Sequence, residues 1–372
     1  MTSADKPWRV RLTGPGVWSG GEMSPRTDWF HPLDDAERQE LVDAVAATQA
    51  GGTEWLDMTK ADFRIPRLQK RLATVCHELE HGCGIAALRG LPFEALGQEG
   101  LRTAFWGIGL HMGSAVSQSR FGELLAEVRD YGEQMGKATS RGYRAAGALR
   151  FHTDRCDVVA LCCVRQGRSG GNNLVVNTPH IHNVLLEKNP DALDALHRPW
   201  YHSRQGEGQE GQQPWYRNPV FTVHKGRFTS QYSRAYVETA DKLPGLPRVT
   251  PEQWQVLDLL AELALSEGFL TRMEPGDVQF LNNHVTYHSR DAVVDWDEPA
   301  KKRMLYRMWL SMPGSRELPA DFDELWGPTA AGAVRGGVLA AAGYRTVEEM
   351  RELRAAGKAP ARAGWPLEAL PA

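Results

Sequence analysis

Phe151-His152-Thr153-Asp154 opens a run of short apolar segments separated by turns, and that run decides the fold class. Residues 157–164 form one apolar stretch, 166–173 are turn-rich, and 174–177 read as a strand. Residues 220–224 and 227–232 flank Lys225-Gly226 as a hairpin, Pro275-Gly276 turns into a strand over 278–281, and residues 306–312 form the last strand. This spacing predicts a sandwich or barrel rather than alternating βαβ units. Strand side chains alternate faces with period two, so His152 and Asp154 are expected to point the same way and to reach one ion. A third ligand has to come from elsewhere. The candidate is His288, within Asn282-Asn283-His284-Val285-Thr286-Tyr287-His288-Ser289-Arg290, with Arg303 and Arg307 beyond it.

Two imidazoles and one carboxylate leave three adjacent positions open on an Fe(II) ion, the facial triad of non-heme iron oxygenases. An arginine facing a barrel interior needs an anion, because an unpaired buried charge costs several kcal/mol. With period two, Arg303, Leu305 and Arg307 share a face if the last strand already begins at Arg303.

The composition is that of an ordinary globular protein. With 372 residues, 43 Lys and Arg against 46 Asp and Glu, and a net charge of −3, the chain carries no overall basic field that would draw it to nucleic acid or anionic lipid. A small-molecule partner is expected instead. Five cysteines without framework spacing, two of them adjacent at Cys162-Cys163, predict reduced thiols and a cytoplasmic location. No 18-residue apolar run or signal-peptide pattern is present, so no membrane span is expected. Oligomeric state is not readable.

Helices flank the strand-rich stretch. Asp34 or Asp35 caps a helix that Gly51-Gly52 stops; others are expected over 66–81, 98–109 and 178–188, and from the capping box Thr250-Pro251-Glu252-Gln253 to about residue 266. A strand is expected at 85–88. Thr346-Val347-Glu348-Glu349 is another capping box, opening a short helix to residue 356. The expected organisation is an irregular lead over residues 1–30, one catalytic domain over 31–315 and a C-terminal extension over 316–372.

The set His152-x-Asp154, Gly170-Gly171, Asn283-His284-x3-His288-Ser289-Arg290 and Arg303-x3-Arg307-Met308-Trp309-Leu310 resembles the TauD/TfdA family of Fe(II)- and 2-oxoglutarate-dependent dioxygenases. The resemblance spans about residues 85–315. It implies a mainly β double-stranded β-helix (a jelly roll, clavaminate synthase-like) with flanking helices. It also implies Fe(II), 2-oxoglutarate and dioxygen as cofactor and cosubstrates, and oxidation of a small molecule with release of succinate and CO2. By position the metal ligands would be His152, Asp154 and His288, and Arg303 would pair with the distal carboxylate of 2-oxoglutarate. Arg307 matches a second arginine that in some members meets an acidic substrate group. Where the family often has a cosubstrate-binding Thr after Gly-Gly, this chain has Asn172-Asn173, and the Asn173 amide could donate in its place. Related halogenases lack the carboxylate ligand, so Asp154 favours hydroxylation or a related oxidation. Sulfonates, aryloxy acids, betaines and amino acids all occur as substrates in the family, and the sequence does not choose among them.

Two other readings stand beside this one. A jelly roll that kept its ligands but lost turnover would bind 2-oxoglutarate or another small ligand without making succinate. A zinc hydrolase could use His77-Glu78-Leu79-Glu80-His81, a literal H-E-x-x-H, although Ala87 stands where a third metzincin His would fall. Cys76, His77, His81 and Cys83 match no standard zinc spacing. His180 and His182 are two apart in an expected helix and should face apart. The Gly- and Gln-rich stretch 205–213, between Trp200-Tyr201-His202 and Trp215-Tyr216-Arg217, is either a lid over the site or a surface loop. Tyr216, Arg217 and Asn218 are candidate substrate contacts, with 113–118 and Arg120 as another wall.

Overall fold

The computed structural model describes residues 6–133, 144–359 and 363–364. Two sheets face each other as a jelly roll. The larger runs in the order Phe30–Pro32, Ile85–Arg89, Val278–Asn282, Val158–Arg165, Met304–Ser311 and Ser114–Val116, and Leu125–Val128 also pairs along Met304–Ser311. The smaller runs Phe269–Thr271, Asn173–Asn177, Thr286–Arg290 and Leu149–His152. All these pairings are antiparallel except that of Phe30–Pro32 with Ile85–Arg89.

Period two divides the central strands between two cores. Met304, Tyr306, Met308 and Leu310 join the core beneath the helices Asp35–Ala50, Pro66–His81 and Phe93–Met112. Leu305 and Trp309 point the other way, into the space between the sheets, where they meet Leu161, Leu281, Val175 and Phe269. Arg307 lies between those two in sequence and so shares their inner face. A third core, behind the smaller sheet, packs Val176 and Tyr287 against Thr178–Lys188 and Pro251–Ser266.

The helices form where local signals placed them. Asp34 and Glu37 make a reciprocal capping box, as do Thr250 with Gln253 and Thr346 with Glu349. The helix expected over 98–109 is longer, Phe93–Met112, because Gly97 at φ 61° lets one extra turn join it at a kink. Phe221–His224 and Arg227–Ser230 form the expected hairpin, and Lys225 and Gly226 both take positive φ, as a two-residue mirror-image turn requires. All five cysteines are free thiols. Among the described residues no helix is long and apolar enough to cross a membrane.

Both flanks are packed. The lead expected to be irregular contains the short helix Gly20–Met23, and the strand Phe30–Pro32 follows it. Trp18 and Trp29 anchor it: each is 3% exposed, and Trp18 Nε1 donates to the Cys83 carbonyl at 2.8 Å. Indoles of that size need cover, which composition rich in Gly and Pro conceals. At the other end, Leu318, Phe322, Leu325 and Trp326 cluster with Tyr216, while Tyr344, Val347 and Met350 join the helix-side core. Trp18→Ala should therefore cost about 3–5 kcal/mol in urea unfolding, the range for a buried indole rather than a surface tail.

Candidate functional site

Antiparallel pairing of Thr286–Arg290 with Leu149–His152 sets His288 directly opposite His152, and their ring centroids lie 4.4 Å apart. Asp154 completes the group, though not as a strand residue. The strand ends at His152; the Thr153 amide leaves the ladder to donate to the Tyr232 carbonyl at 2.9 Å, and the Asp154 amide donates to Asn283 Oδ1 at 3.1 Å. A loop held by side-chain and long-range backbone bonds thus replaces the two-residue alternation expected for His152 and Asp154. One potential ligand atom from each of His152, Asp154 and His288 lies within 4.8 Å of the others. Among the described residues this is the one group of three or more His, Cys, Asp or Glu side chains so disposed.

The surroundings suit a cation. His152 Nδ1 donates to the Arg150 carbonyl at 2.9 Å, which turns Nε2 toward Asp154 Oδ1 at 3.7 Å. Burial, with His152 alongside, pushes the His288 imidazole down to about 3, leaving it neutral near pH 7. Burial pushes the Asp154 carboxyl up, but Arg307, the two imidazoles and the Trp309 indole together hold it below the usual carboxylate range. Trp309 Nε1 donates to Asp154 Oδ2 at 2.9 Å, and Arg307 Nη1 stands 3.7 Å from the same oxygen. Trp309 follows Arg307 by two on the strand, a signal the sequence offered.

Arg307 is also oriented by Gln118, whose Oε1 accepts from Nε at 2.7 Å. Arg303 lies further along the same interior, 3% exposed, with Nη2 donating to the Gly171 carbonyl at 2.8 Å and Nε without a partner. Burial and then the neighbouring Arg290 push its guanidinium down to about 10, so it stays charged at neutral pH at an energetic cost. Such a buried cation with a spare donor calls for an anion. Gly170 and Gly171 both have positive φ, and a Cβ on Gly171 would lie 2.5 Å from Arg303 Nε. The Gly-Gly turn therefore fits closely over this arginine.

Other expected contacts fall differently. The Asn173 amide faces inward but donates to Gln279 Oε1 at 2.7 Å, and Gln279 Nε2 is a buried amide donor without a partner. Tyr216 and Asn218 occupy the buried face of the ribbon Pro199–Ser203 and Trp215–Pro219, whereas Arg217 lies on its exposed face over the Tyr201 ring. Three consecutive strand residues cannot share a face. The 205–213 loop joins the ribbon's strands, and its buried Glu207 approaches Arg155, beside Asp154, to 3.8 Å. Arg120 is exposed. His180 and His182 do face apart, toward Glu267 and the Trp8 carbonyl. On the Pro66–His81 helix, Glu78 bonds to His31 and Glu80 to Arg227 and Arg316, and His77 and His81 join no third ligand among the described residues.

A jelly roll whose interior gathers two imidazoles and a carboxylate defines a non-heme iron oxygenase. Residues 46–309 match the family profile described as taurine catabolism dioxygenase TauD, TfdA family. The chain belongs to the TauD/TfdA family, as an enzyme of that class. It is 31% identical over 327 residues to FR-33289 synthase of Streptomyces rubellomurinus, covering 86% of this chain and 96% of that protein. It is 25% identical over 349 residues to a taurine hydroxylase-like protein of Stachybotrys chartarum, covering 87% and 88%. Its fold is similar to that of asparagine oxygenase in complex with Fe(II), 3-hydroxyasparagine and succinate (TM-score 0.61, 19% identity, 82% of this chain and 99% of that one). It is similar also to the non-heme iron oxygenase OrfP with Fe and alpha-ketoglutaric acid (TM-score 0.59, 16% identity, 82% and 99%).

The seating of the glycine turn on Arg303 can be tested without ligand. Gly171→Ala should lower stability by about 1–3 kcal/mol, through positive-φ strain and the clash with the guanidinium. An unchanged urea midpoint would separate the turn from the arginine.

Proposed function

We propose that this chain is an Fe(II)- and 2-oxoglutarate-dependent oxygenase that hydroxylates, or otherwise oxidises at C–H, a small molecule. The observation carrying this reading is the convergence of His152, Asp154 and His288 within 4.8 Å, with a buried arginine bearing an unpartnered Nε in the same interior. When bound, the iron supplies activation of dioxygen coupled to decarboxylation of 2-oxoglutarate. The protein's own contribution is placement. His152 and His288 offer imidazole nitrogens and Asp154 offers Oδ1, since Oδ2 is engaged by Trp309.

Arg303 is assigned to the distal carboxylate of 2-oxoglutarate, as a guanidinium fork binds a carboxylate with fixed geometry. Asn173 is not the free donor in this pocket. Its amide orients Gln279, and Gln279 Nε2 takes the place the family gives to a Thr. Tyr216 and Asn218, on the buried face of their ribbon, are the proposed substrate contacts; Asn218 is fully buried with neither amide atom partnered. The hydroxyasparagine bound to asparagine oxygenase supports hydroxylation as the outcome.

Anaerobic addition of Fe(II) and then 2-oxoglutarate should produce a visible metal-to-ligand charge-transfer band. A folded, iron-loaded sample without that band would reject the reading. Arg303→Met should weaken 2-oxoglutarate binding by about thirtyfold or more, the equivalent of losing about 2 kcal/mol or more from a buried charge pair. The same variant without ligand should be no less stable than wild type, because it removes a buried charge whose Nε has no partner.

A further inference from the structure

Asp154 sits on a loop, so something other than a strand ladder must hold it. That loop is gripped from three directions. Asn283 takes it on one side, accepting from the Asp154 amide through Oδ1 at 3.1 Å and donating its own amide to the Asp157 carbonyl at 3.0 Å. Between these bonds the Arg155 carbonyl accepts from the Gly337 amide at 2.7 Å, a contact from the C-terminal extension. The third grip is the Asp157 carboxylate. Its Oδ1 accepts from His284 Nε2 at 2.8 Å and from Arg335 Nε at 2.9 Å, and its Oδ2 accepts from the Met312 amide at 2.9 Å.

None of these groups meets solvent: Asp157 and Arg335 are each 1% exposed and His284 is 0% exposed. One carboxylate therefore ties together the loop bearing Asp154, the turn four residues before His288, the end of the strand bearing Arg307 and Trp309, and the extension. Burial pushes His284 below its ordinary range, so Arg335 is the cation that balances Asp157. Arg335 is itself fixed, with Nη2 donating to the Arg316 carbonyl at 2.7 Å and its amide donating to Ser311 Oγ at 2.9 Å. A buried carboxylate deprived of its counter-ion must take up a proton or move toward water, and either would loosen the four segments it joins.

We propose that Arg335 is a positioning residue for the metal centre: through Asp157 it holds the Asp154 loop and the His288 turn in register, which makes the C-terminal extension a working part of the site. This rests on the reading of His152, Asp154 and His288 as metal ligands. Its evidence, however, is the buried network behind them.

The test is an anaerobic Co(II) titration of the full chain, followed by the ion's visible absorption and normalised to the folded fraction, alongside thermal unfolding of the metal-free protein. Wild type should bind one ion in a manner abolished by His152→Ala. Arg335→Met should weaken binding about 10–100-fold, as loss of outer-sphere support does elsewhere. In an Asp157→Asn background the same change should cost less than about threefold, because the charge it balances is gone. Wild-type affinity in folded Arg335→Met overturns the proposal even if its melting temperature falls, and so does an equal loss in both backgrounds. Should Arg335→Met not fold, Arg335→Lys carries the test. It keeps the charge but loses the planar fork, so a smaller weakening is expected and unchanged affinity overturns the proposal. A wild type with no His152-dependent site overturns this inference together with the metal reading, an outcome distinct from a wild type that binds beside an Arg335 variant that binds equally well.

Discussion

Burying the Asp154 carboxylate is the constraint on which the rest of the interior depends. At 6% exposure it has lost most of its hydration, and a bare carboxylate in that position would take up a proton. It stays ionised because a cation and a donor stand beside it, Arg307 and Trp309 Nε1. The groups around it come from both sheets. The imidazoles belong to the smaller sheet and its edge, and the indole and guanidinium to the single strand Met304–Ser311 of the larger one, so the site exists only while the two sheets face each other. A divalent ion among the three ligands would add positive charge beside Asp154.

The same facing geometry explains why polar residues are tolerated in so apolar a setting. The central strands of the larger sheet spend one face on the helix-side core, and Tyr306, Met308 and Leu310 bury there with their neighbours. The inner face is then free to alternate apolar Leu305 and Trp309 with Arg307, and Leu161 and Leu281 with Gln279. Gln279 pairs in register with Leu161, and Leu161 with Arg307, so one row across three strands sets an apolar side chain between two polar ones. Stability is supplied by the outer core, which leaves the inner one available for chemistry.

What was legible in the sequence was local or carried by tightly spaced motifs. Helices announced by Asp34, Thr250 and Thr346 are capped by those residues, because a capping box needs only four consecutive positions. The convergence of His152, Asp154 and His288 was also anticipated, though by a different local structure, since the chain leaves its strand at Thr153. Asn283, which makes that departure possible, was visible in the motif, but its role was not. Placing Tyr216, Arg217 and Asn218 together ignored the alternation applied elsewhere, and the fold turns Arg217 outward. Arg335 gave no signal: it lies 178 residues from Asp157 in an Ala- and Gly-rich stretch, and only the folded chain joins them.

The two interior arginines differ in what they have left to give. Arg307 has Nε on Gln118 and Nη1 toward Asp154, so its charge already serves the ligand carboxylate. An acidic substrate group drawn to it would compete with Asp154 for the same guanidinium. Arg303 has a carbonyl on one nitrogen and nothing on Nε, beneath a glycine turn that closes over it. An anion entering this interior therefore gains most at Arg303, where a buried charge is uncompensated, and least at Arg307, where it is not. Under the proposed function, that asymmetry sets the direction of a bound dicarboxylate, with its far end on Arg303.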